Sequence, residues 1–331
     1  MELSEKYEDD GALRCLLCPH LCIILPGRRG VCGVRENEGE SIFLTTYGVI
    51  SGYAVDPVEK KPLYHFYPGK VILSVGSYGC NFKCDFCQNH QISQYVEREG
   101  NYRLSPGELV SRALRVSDNI GIAYTYNEPV IWYEYILDCA RLVKDNGMKN
   151  VMVTNGYINS RPLDELLDVI DAFNIDLKAF DNNFYRKYTG GKLKPVLDTI
   201  ARVAGSGRHL ELTTLILPGI NDSDSSMRKE AEWIASTAGR RVPLHISRYF
   251  PMYLRSDPAT PDDTVIRLRD IASEYLDFVY TGNMSGNQCG CDTYCPVCHI
   301  PVIRRTGYRT NITTLDSDGR CLNCNEKIVN Y

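Results

Sequence analysis

The sequence predicts an α/β fold: a partial (β/α)6-type barrel with small Cys-rich metal-binding segments at both termini. Three observations predict it. Apolar runs alternate with amphipathic stretches from Val71 to Thr281, the pattern of parallel strands joined by helical crossovers. Six or seven such units recur, which suits an incomplete barrel better than a short open sheet. Thirteen of the fourteen cysteines fall in three tight groups, at 15–32, 80–87 and 289–324, and only Cys139 stands alone.

In chain order, residues 1–66 are rich in turn residues, carry the first cysteine group and include short strands at 41–47 and 49–55. Residues 67–285 hold the barrel, with strands at 71–75, 120–125, 150–154, 172–177, 210–217, 243–249 and 278–281. Helical segments fall near 105–116, 130–146, 163–169, 193–204, 223–236 and 261–274. Ser105-Pro106-Gly107-Glu108 supplies an N-cap serine, a proline at the first helical position and an acid at the third. Asn146-Gly147 ends the next helix. Residues 286–331 form a C-terminal unit with the last cysteines. On such a barrel, functional groups collect at the C-terminal ends of the strands.

Hydrophobic residues make up 44% of the 331, charged residues 24%, and the net charge is −4. This is the balance of a soluble globular protein, and it advertises neither a nucleic-acid nor a membrane partner. The chain opens without the basic start and apolar core of a signal peptide, and no apolar run reaches bilayer length. A cytoplasmic location is the expectation, so the cysteines read as metal ligands rather than disulfides.

The central group is Gly79-Cys80-Asn81-Phe82-Lys83-Cys84-Asp85-Phe86-Cys87-Gln88-Asn89, on the loop after the first barrel strand. Three thiolates so close together can bind three corners of a 4Fe–4S cubane and leave the fourth iron free. An electron-carrying cluster would normally take a fourth cysteine. Zinc sites pair two short hooks, which Cys-x3-Cys-x2-Cys does not. A free iron is what S-adenosylmethionine (SAM) needs, since its amino and carboxylate groups chelate it.

Around this loop the sequence resembles the radical SAM superfamily, and within it the activating enzymes of glycyl-radical enzymes such as pyruvate formate-lyase. The matching residues are Phe86, Tyr126-Asn127-Glu128-Pro129, Thr154-Asn155-Gly156, Asp176-Leu177-Lys178, Tyr188-Thr189-Gly190, Leu217-Pro218-Gly219 and His245. The resemblance implies a TIM-type partial barrel of the radical SAM kind. It implies that Phe86 lies against the adenine and that Glu128 accepts from the SAM ammonium. Tyr126, Asn127, Thr154, Asn155 and Asp176 would complete the cofactor site. Asp176, Lys178 and His245 would face the methionine end and the substrate, as catalytic residues. The opening Cys15-x2-Cys18-Pro19-His20-x-Cys22…Gly30-x-Cys32-Gly33-Val34-Arg35 and the terminal Cys-x2-Cys hooks are similar to the AmmeMemoRadiSam system radical SAM enzymes. That likeness covers nearly the whole chain and suggests Amme and Memo family proteins as partners.

Cys295-x2-Cys298 and Cys321-x2-Cys324 are two hooks bracketing a hairpin-sized stretch, the pattern of a zinc ribbon, with a rubredoxin-like iron site as the chemical alternative. In a segment this short the metal supplies folding free energy. Cys15, Cys18, Cys22 and Cys32 make a second set of four, read as zinc with His20 as a substitute ligand. A second iron–sulfur cluster is the alternative, because the first three crowd together almost as the central group does. Cys289 and Cys291 are left without a site, and Cys139 reads as a buried core residue.

The expected function is a radical SAM enzyme that reductively cleaves SAM at a 4Fe–4S cluster to a 5′-deoxyadenosyl radical and abstracts hydrogen from a substrate. A one-electron donor such as ferredoxin or flavodoxin is implied. A protein or peptide substrate follows by analogy with the activating enzymes. The alternatives are an RNA- or nucleotide-modifying enzyme, with Arg304-Arg305…Arg309 as a platform, and a non-enzymatic iron–sulfur redox sensor.

Overall fold

The computed structural model describes residues 3–7, 11–95, 102–284 and 290–331. Its centre is an eight-stranded sheet. In chain order the strands are β1 (Gly52–Pro57), β2 (Val71–Gly76), β3 (Asn119–Tyr124), β4 (Lys149–Thr154), β5 (Ala172–Asp176), β6 (His209–Ile216), β7 (Leu244–Arg248) and β8 (Val279–Gly282). They lie side by side in that same order. From β2 to β8 every pairing is parallel. Parallel neighbours need a crossover on one face, and six helices provide it. These are α1 (Pro106–Leu114), α2 (Tyr133–Asp145), α3 (Ser160–Val169), α4 (Leu193–Gly205), α5 (Asp224–Thr237) and α6 (Asp262–Ser273).

The parallel strands read as continuous apolar runs because both their faces are covered; in β2 the five residues after Val71 are all buried. Helix α1 starts as the sequence predicts, with the Ser105 hydroxyl accepting from the Glu108 N–H and the Glu108 carboxylate accepting from the Ser105 N–H. The stretch expected as one helix over 130–146 is two elements. A 3-10 turn, Pro129–Trp132, capped by Glu128, precedes α2.

The N-terminal expectations change in two respects. The strand expected at 49–55 breaks at Ser51. Val49–Ile50 pairs with Tyr102–Arg103, whereas β1 runs antiparallel along β2 and extends the barrel sheet by one strand. The strand expected at 41–47 shortens to Ile42–Leu44 and pairs with Arg35–Asn37. Arg35 is almost fully buried and forks onto Glu134 of α2, with both contacts at 2.6 Å, tying this segment to the barrel.

At the other end, β9 (Thr293–Tyr294), β10 (Pro301–Thr306) and β11 (Arg309–Ile312) form a three-stranded antiparallel sheet. It is held to the segment before β2. The Asn330 N–H donates to the His65 carbonyl (2.8 Å), and Arg305 donates to the Tyr64 carbonyl (2.8 Å). Among the described residues no helix is long and apolar enough to cross a membrane. Cys139 is fully buried in α2, and Cys289 lies outside the described residues.

Glu230 on α5 is buried and meets the Thr214 hydroxyl. That hydroxyl has one hydrogen, and the Leu177 carbonyl stands 2.9 Å away to take it. The carboxyl therefore keeps its own proton, and burial pushes it up to about 8 from 4.5. A folded pKa above the unfolded one gives stability that is full below the unfolded value and lost as pH rises through the folded value. Glu230→Gln removes that loss. Thermal unfolding of the variant should match the parent near pH 5 and show a higher midpoint near pH 9; parallel pH profiles would contradict this assignment.

Candidate functional site

The loop after β2 lies over the carboxyl ends of the strands, and three side-chain amides hold it there. Asn127 donates to the Gly79 carbonyl (3.0 Å) and accepts from the Ser77 N–H (3.0 Å). Asn155 donates to Asn81 Oδ1 (2.8 Å), and Asn81 donates to the Tyr157 carbonyl (2.9 Å). Gly79 has φ +90°, and a Cβ there would lie 2.7 Å from the Cys32 carbonyl oxygen, so only glycine lets the loop approach the N-terminal segment. The sequence thus brings Cys80, Cys84 and Cys87 to one wall of a cavity of about 1010 Å3.

The sulfurs are not bare of polar neighbours. Cys80 Sγ accepts from the Phe82 N–H at 3.3 Å and faces the Asn155 amide at 3.9 Å, and Cys87 Sγ lies 3.1 Å from the Ser93 hydroxyl. Burial pushes the Cys84 thiol up to about 12, against the pull of Lys178. A thiol held so high keeps its proton until a metal centre replaces it.

Most of the residues singled out from sequence line the same cavity: Phe86, Tyr126, Asn127, Glu128, Asn155, Asp176, Lys178 and His245. Thr154 stands behind the wall. Its hydroxyl donates to Glu128 Oε1 (2.6 Å), while Glu128 Oε2 accepts from the Asn155 N–H (2.8 Å) and Oε1 also accepts from the Val130 N–H (2.9 Å). Glu128 therefore ties the end of β4 to the turn before α2, and burial pushes its carboxyl up to about 7 against these three donors. Tyr126 sits at φ +72° and donates to Asp56 (2.8 Å), which also pairs with Lys60 and Lys61.

Deeper in the barrel, strand register sets a row of polar groups. Asp176 on β5 is level with Thr213 on β6, Thr213 with His245 on β7, and His245 with Tyr280 on β8. Asp176 pairs with Lys178 at 2.9 Å. Burial opposes the Lys178 charge, but the Asp176 carboxylate and the neighbouring Cys84 outweigh it and hold the ammonium above its usual range. His245 Nε2 bonds to Glu211 Oε2 (2.7 Å), and His209 Nε2 to Glu211 Oε1 (2.9 Å). The Tyr64 and His65 N–H groups donate to the same carboxylate at 3.0 and 2.7 Å. Burial works against the Glu211 charge, yet the two imidazoles hold the carboxyl well below the usual range.

Glu211 escaped the sequence reading. The signal was present: His209, Glu211 and Thr213 are polar at every second place over the first five residues of the strand, with Leu210 and Leu212 between them, which marks one face as the barrel lumen. The far wall of the cavity also escaped it, because residues 304–308 and Tyr294 of the C-terminal sheet close it.

The two outer cysteine sets differ in geometry. The sulfurs of Cys295, Cys298, Cys321 and Cys324 all lie within 4.8 Å of one another, with Cys295–Cys324 at 3.4 Å and Cys298–Cys321 at 3.6 Å. Tetrahedral zinc, at about 2.3 Å from each sulfur, places sulfurs about 3.8 Å apart, so this set fits one ion. Cys15, Cys18, Cys22 and Cys32 line a separate small void. His20 does not turn to it as a ligand through Nε2, which bonds to the Asn81 carbonyl (2.7 Å). Cys291 lines the main cavity.

Comparison with known proteins agrees with this arrangement. Residues 74–231 match the Radical SAM superfamily. An uncharacterized protein of Methanocaldococcus jannaschii is 42% identical over 97% of this chain and 96% of its own length. Another protein of that organism, named provisionally as a glycyl-radical enzyme activating enzyme, is 30% identical over 60% of this chain and 76% of its own. Among solved structures, Streptococcus suis SuiB bound to S-adenosylmethionine superposes with a TM-score of 0.52 at 13% identity, covering 64% of this chain and 52% of that one. The likeness to SuiB is one of fold.

Glu211→Ala would leave two imidazoles and two backbone N–H groups without their acceptor inside the barrel. Breaking one side of such a buried network costs about 3–5 kcal/mol. A urea titration should show the midpoint falling accordingly; an unchanged midpoint would mean that the network contributes nothing to holding the barrel.

Proposed function

Because the chain belongs to the radical SAM superfamily, which uses a 4Fe–4S cluster and SAM, we propose that Cys80, Cys84 and Cys87 hold that cluster and that SAM binds in the adjoining cavity. One observation carries the reading: the three thiols open onto the cavity that Glu128, Asn155, Asp176, Lys178 and His245 also line. The residues fit the group, since backbone and side-chain N–H donors face the Cys80 sulfur and three ligands leave one iron uncommitted. Held by Cys80, Cys84 and Cys87, such a cluster would supply the one-electron reduction that cleaves SAM and starts radical chemistry on the substrate.

The chain's own residues bind, orient and enclose. Phe86, buried beside Phe184, offers the apolar wall for the adenine. Glu128 has one acceptor site left for the SAM ammonium and fixes the Asn155 backbone beside Cys80. Lys178, charged and flanked by Asp176, matches the methionine carboxylate in sign. His245, oriented by Glu211, faces the part of the lumen left for the substrate. The C-terminal sheet closes that lumen, so zinc at Cys295, Cys298, Cys321 and Cys324 stabilises a wall of the site.

The substrate we favour is a protein or peptide, by similarity to the relative named as an activating enzyme. Its electron comes from a ferredoxin or flavodoxin, and the Amme and Memo family proteins suggested by the sequence are the partners to test first. The decisive assay is anaerobic reconstitution followed by reduction with SAM, reading 5′-deoxyadenosine by mass spectrometry. Wild type should form it at least about tenfold faster than Cys84→Ala, a loss of at least about 1.4 kcal/mol in transition-state stabilisation. Equal, background-level cleavage by both, with the wild-type cluster full, would favour the redox-sensor reading instead.

A further inference from the structure

We propose that the exposed face around Lys83 is the docking surface of an acidic one-electron carrier, a small flavin or iron–sulfur protein. This rests on the reading above, that Cys80, Cys84 and Cys87 hold a redox cluster. SAM needs an opening onto those thiols, and the cavity provides it. An electron needs only a short path, so a carrier can sit on closed surface. Cys84 is buried, but its chain neighbour Lys83 is exposed and does not line the cavity. Three segments meet there, and their contacts fix them together. The Lys83 and Asp85 N–H groups donate to the carbonyls of Thr189 (2.8 Å) and Tyr188 (3.4 Å), on the turn Tyr185–Thr189. The Asp85 carbonyl accepts from the Leu254 N–H (3.0 Å), on the segment after β7. Arg255 joins all three segments. It pairs with Asp85 (3.2 Å) and Asp257 (2.7 Å) and lies 5.4 Å from the Tyr188 ring centre.

The charges on this face suit an acidic partner. Lys83, Arg186, Lys187 and Lys192 are all exposed. Lys83 and Lys192 stand close enough together for both charges to act on the His20 ring, and Lys187 lies 4.8 Å from the Tyr188 ring centre. The acids at hand are engaged: Asp85 and Asp257 share Arg255, and Asp181 accepts from the N–H groups of Asn183 and Phe184. The whole chain has a net charge of −4, so this patch stands out from an acidic background. Beside the cations, Leu254 is 71% exposed and Met252 40%. Apolar contact flanked by charge is the anatomy of a protein–protein interface, and the charges steer a complementary partner into register. A nucleic acid would ask for free aromatic faces, whereas the Tyr188 ring already has Lys187 and Arg255 against it. Each visit passes one electron from the reduced carrier to this protein, with no bond made or broken.

Two readouts on the full chain test this, with an acidic flavodoxin and an acidic ferredoxin as probes. The first is binding of the oxidised probes by titration calorimetry, at about 0.05 M and about 0.5 M salt. Wild type should bind one of them, and more weakly at the higher salt. Arg186→Glu/Lys187→Glu/Lys192→Glu should bind it at least about tenfold more weakly at the lower salt. Leu254→Ser should weaken binding equally at both salts, because it removes apolar area and no charge. The second readout is 5′-deoxyadenosine formed by the reconstituted protein with SAM. The charge variant should lose at least about tenfold in rate with the reduced carrier and match wild type with dithionite, which needs no docking. Binding of neither probe by wild type, equal binding by the charge variant, or equal losses with both reductants would overturn the proposal. Binding of a short RNA in place of both probes would overturn it too. Should the triple variant fail to fold, Lys192→Glu and Leu254→Ser carry the test. If dithionite drives no SAM cleavage even in wild type, the cluster reading has failed, and the binding result still decides the surface.

Discussion

The site depends on one constraint: a short loop carrying three thiols must be fixed in space while one side of it stays open. Nothing within the loop is long enough to do this. The fixing groups come from other strand ends, as side-chain amides and a carboxylate that reach across. Asn127 and Asn155 grip its backbone and Asn81, and Glu128 fixes Asn155 in turn. Each of these buried polar groups is satisfied by another member, and such networks specify a single arrangement because any partial arrangement leaves unpaired groups. The N-terminal segment packs against the loop's outer side, where Gly79 allows backbone contact. The loop is thereby held from both sides, and only the lumen remains open to it.

A second polar network does the same work deeper in the barrel. Glu211 gathers His209, His245 and the backbone of residues 64 and 65, while His65 bonds onward to Tyr280 (2.6 Å) and to the Ile328 carbonyl (2.9 Å). This couples the lumen to the C-terminal sheet. Residues 304–308 of that sheet line the cavity, so the cavity's shape depends on how the sheet is seated. The two ends of the chain, which look like appendages in the sequence, are both built into the site.

How much of this the sequence revealed depends on range. The parallel strands and their helices were legible because burial on both faces writes itself as local apolar runs, and the cap at Ser105 is a four-residue pattern. The cysteine loop was legible because its three thiols lie within eight residues. What could not be read locally was pairing. β1 became a barrel edge strand only because Tyr53 meets Val75, and the break at Ser51 has no strong local signal. Glu211 was readable in kind, as a polar residue on a strand face, but its partners come from β7 and from residues 64 and 65. Thr154 was placed at the right turn, yet its role is to hold Glu128 rather than to line the cavity. The spacing of the outer cysteines suggested metal; that the four C-terminal sulfurs gather within 4.8 Å of one another is a property of the fold.

The central claim is that the loop leaves one iron free for SAM. It is tested most directly by electron paramagnetic resonance of the reduced, reconstituted protein during a SAM titration. The signal of the cluster on Cys80, Cys84 and Cys87 should change its g values and saturate at about one SAM per chain, as expected when a ligand joins an iron. A spectrum that stays unchanged at saturating SAM, from a protein whose cluster is full, would contradict the claim.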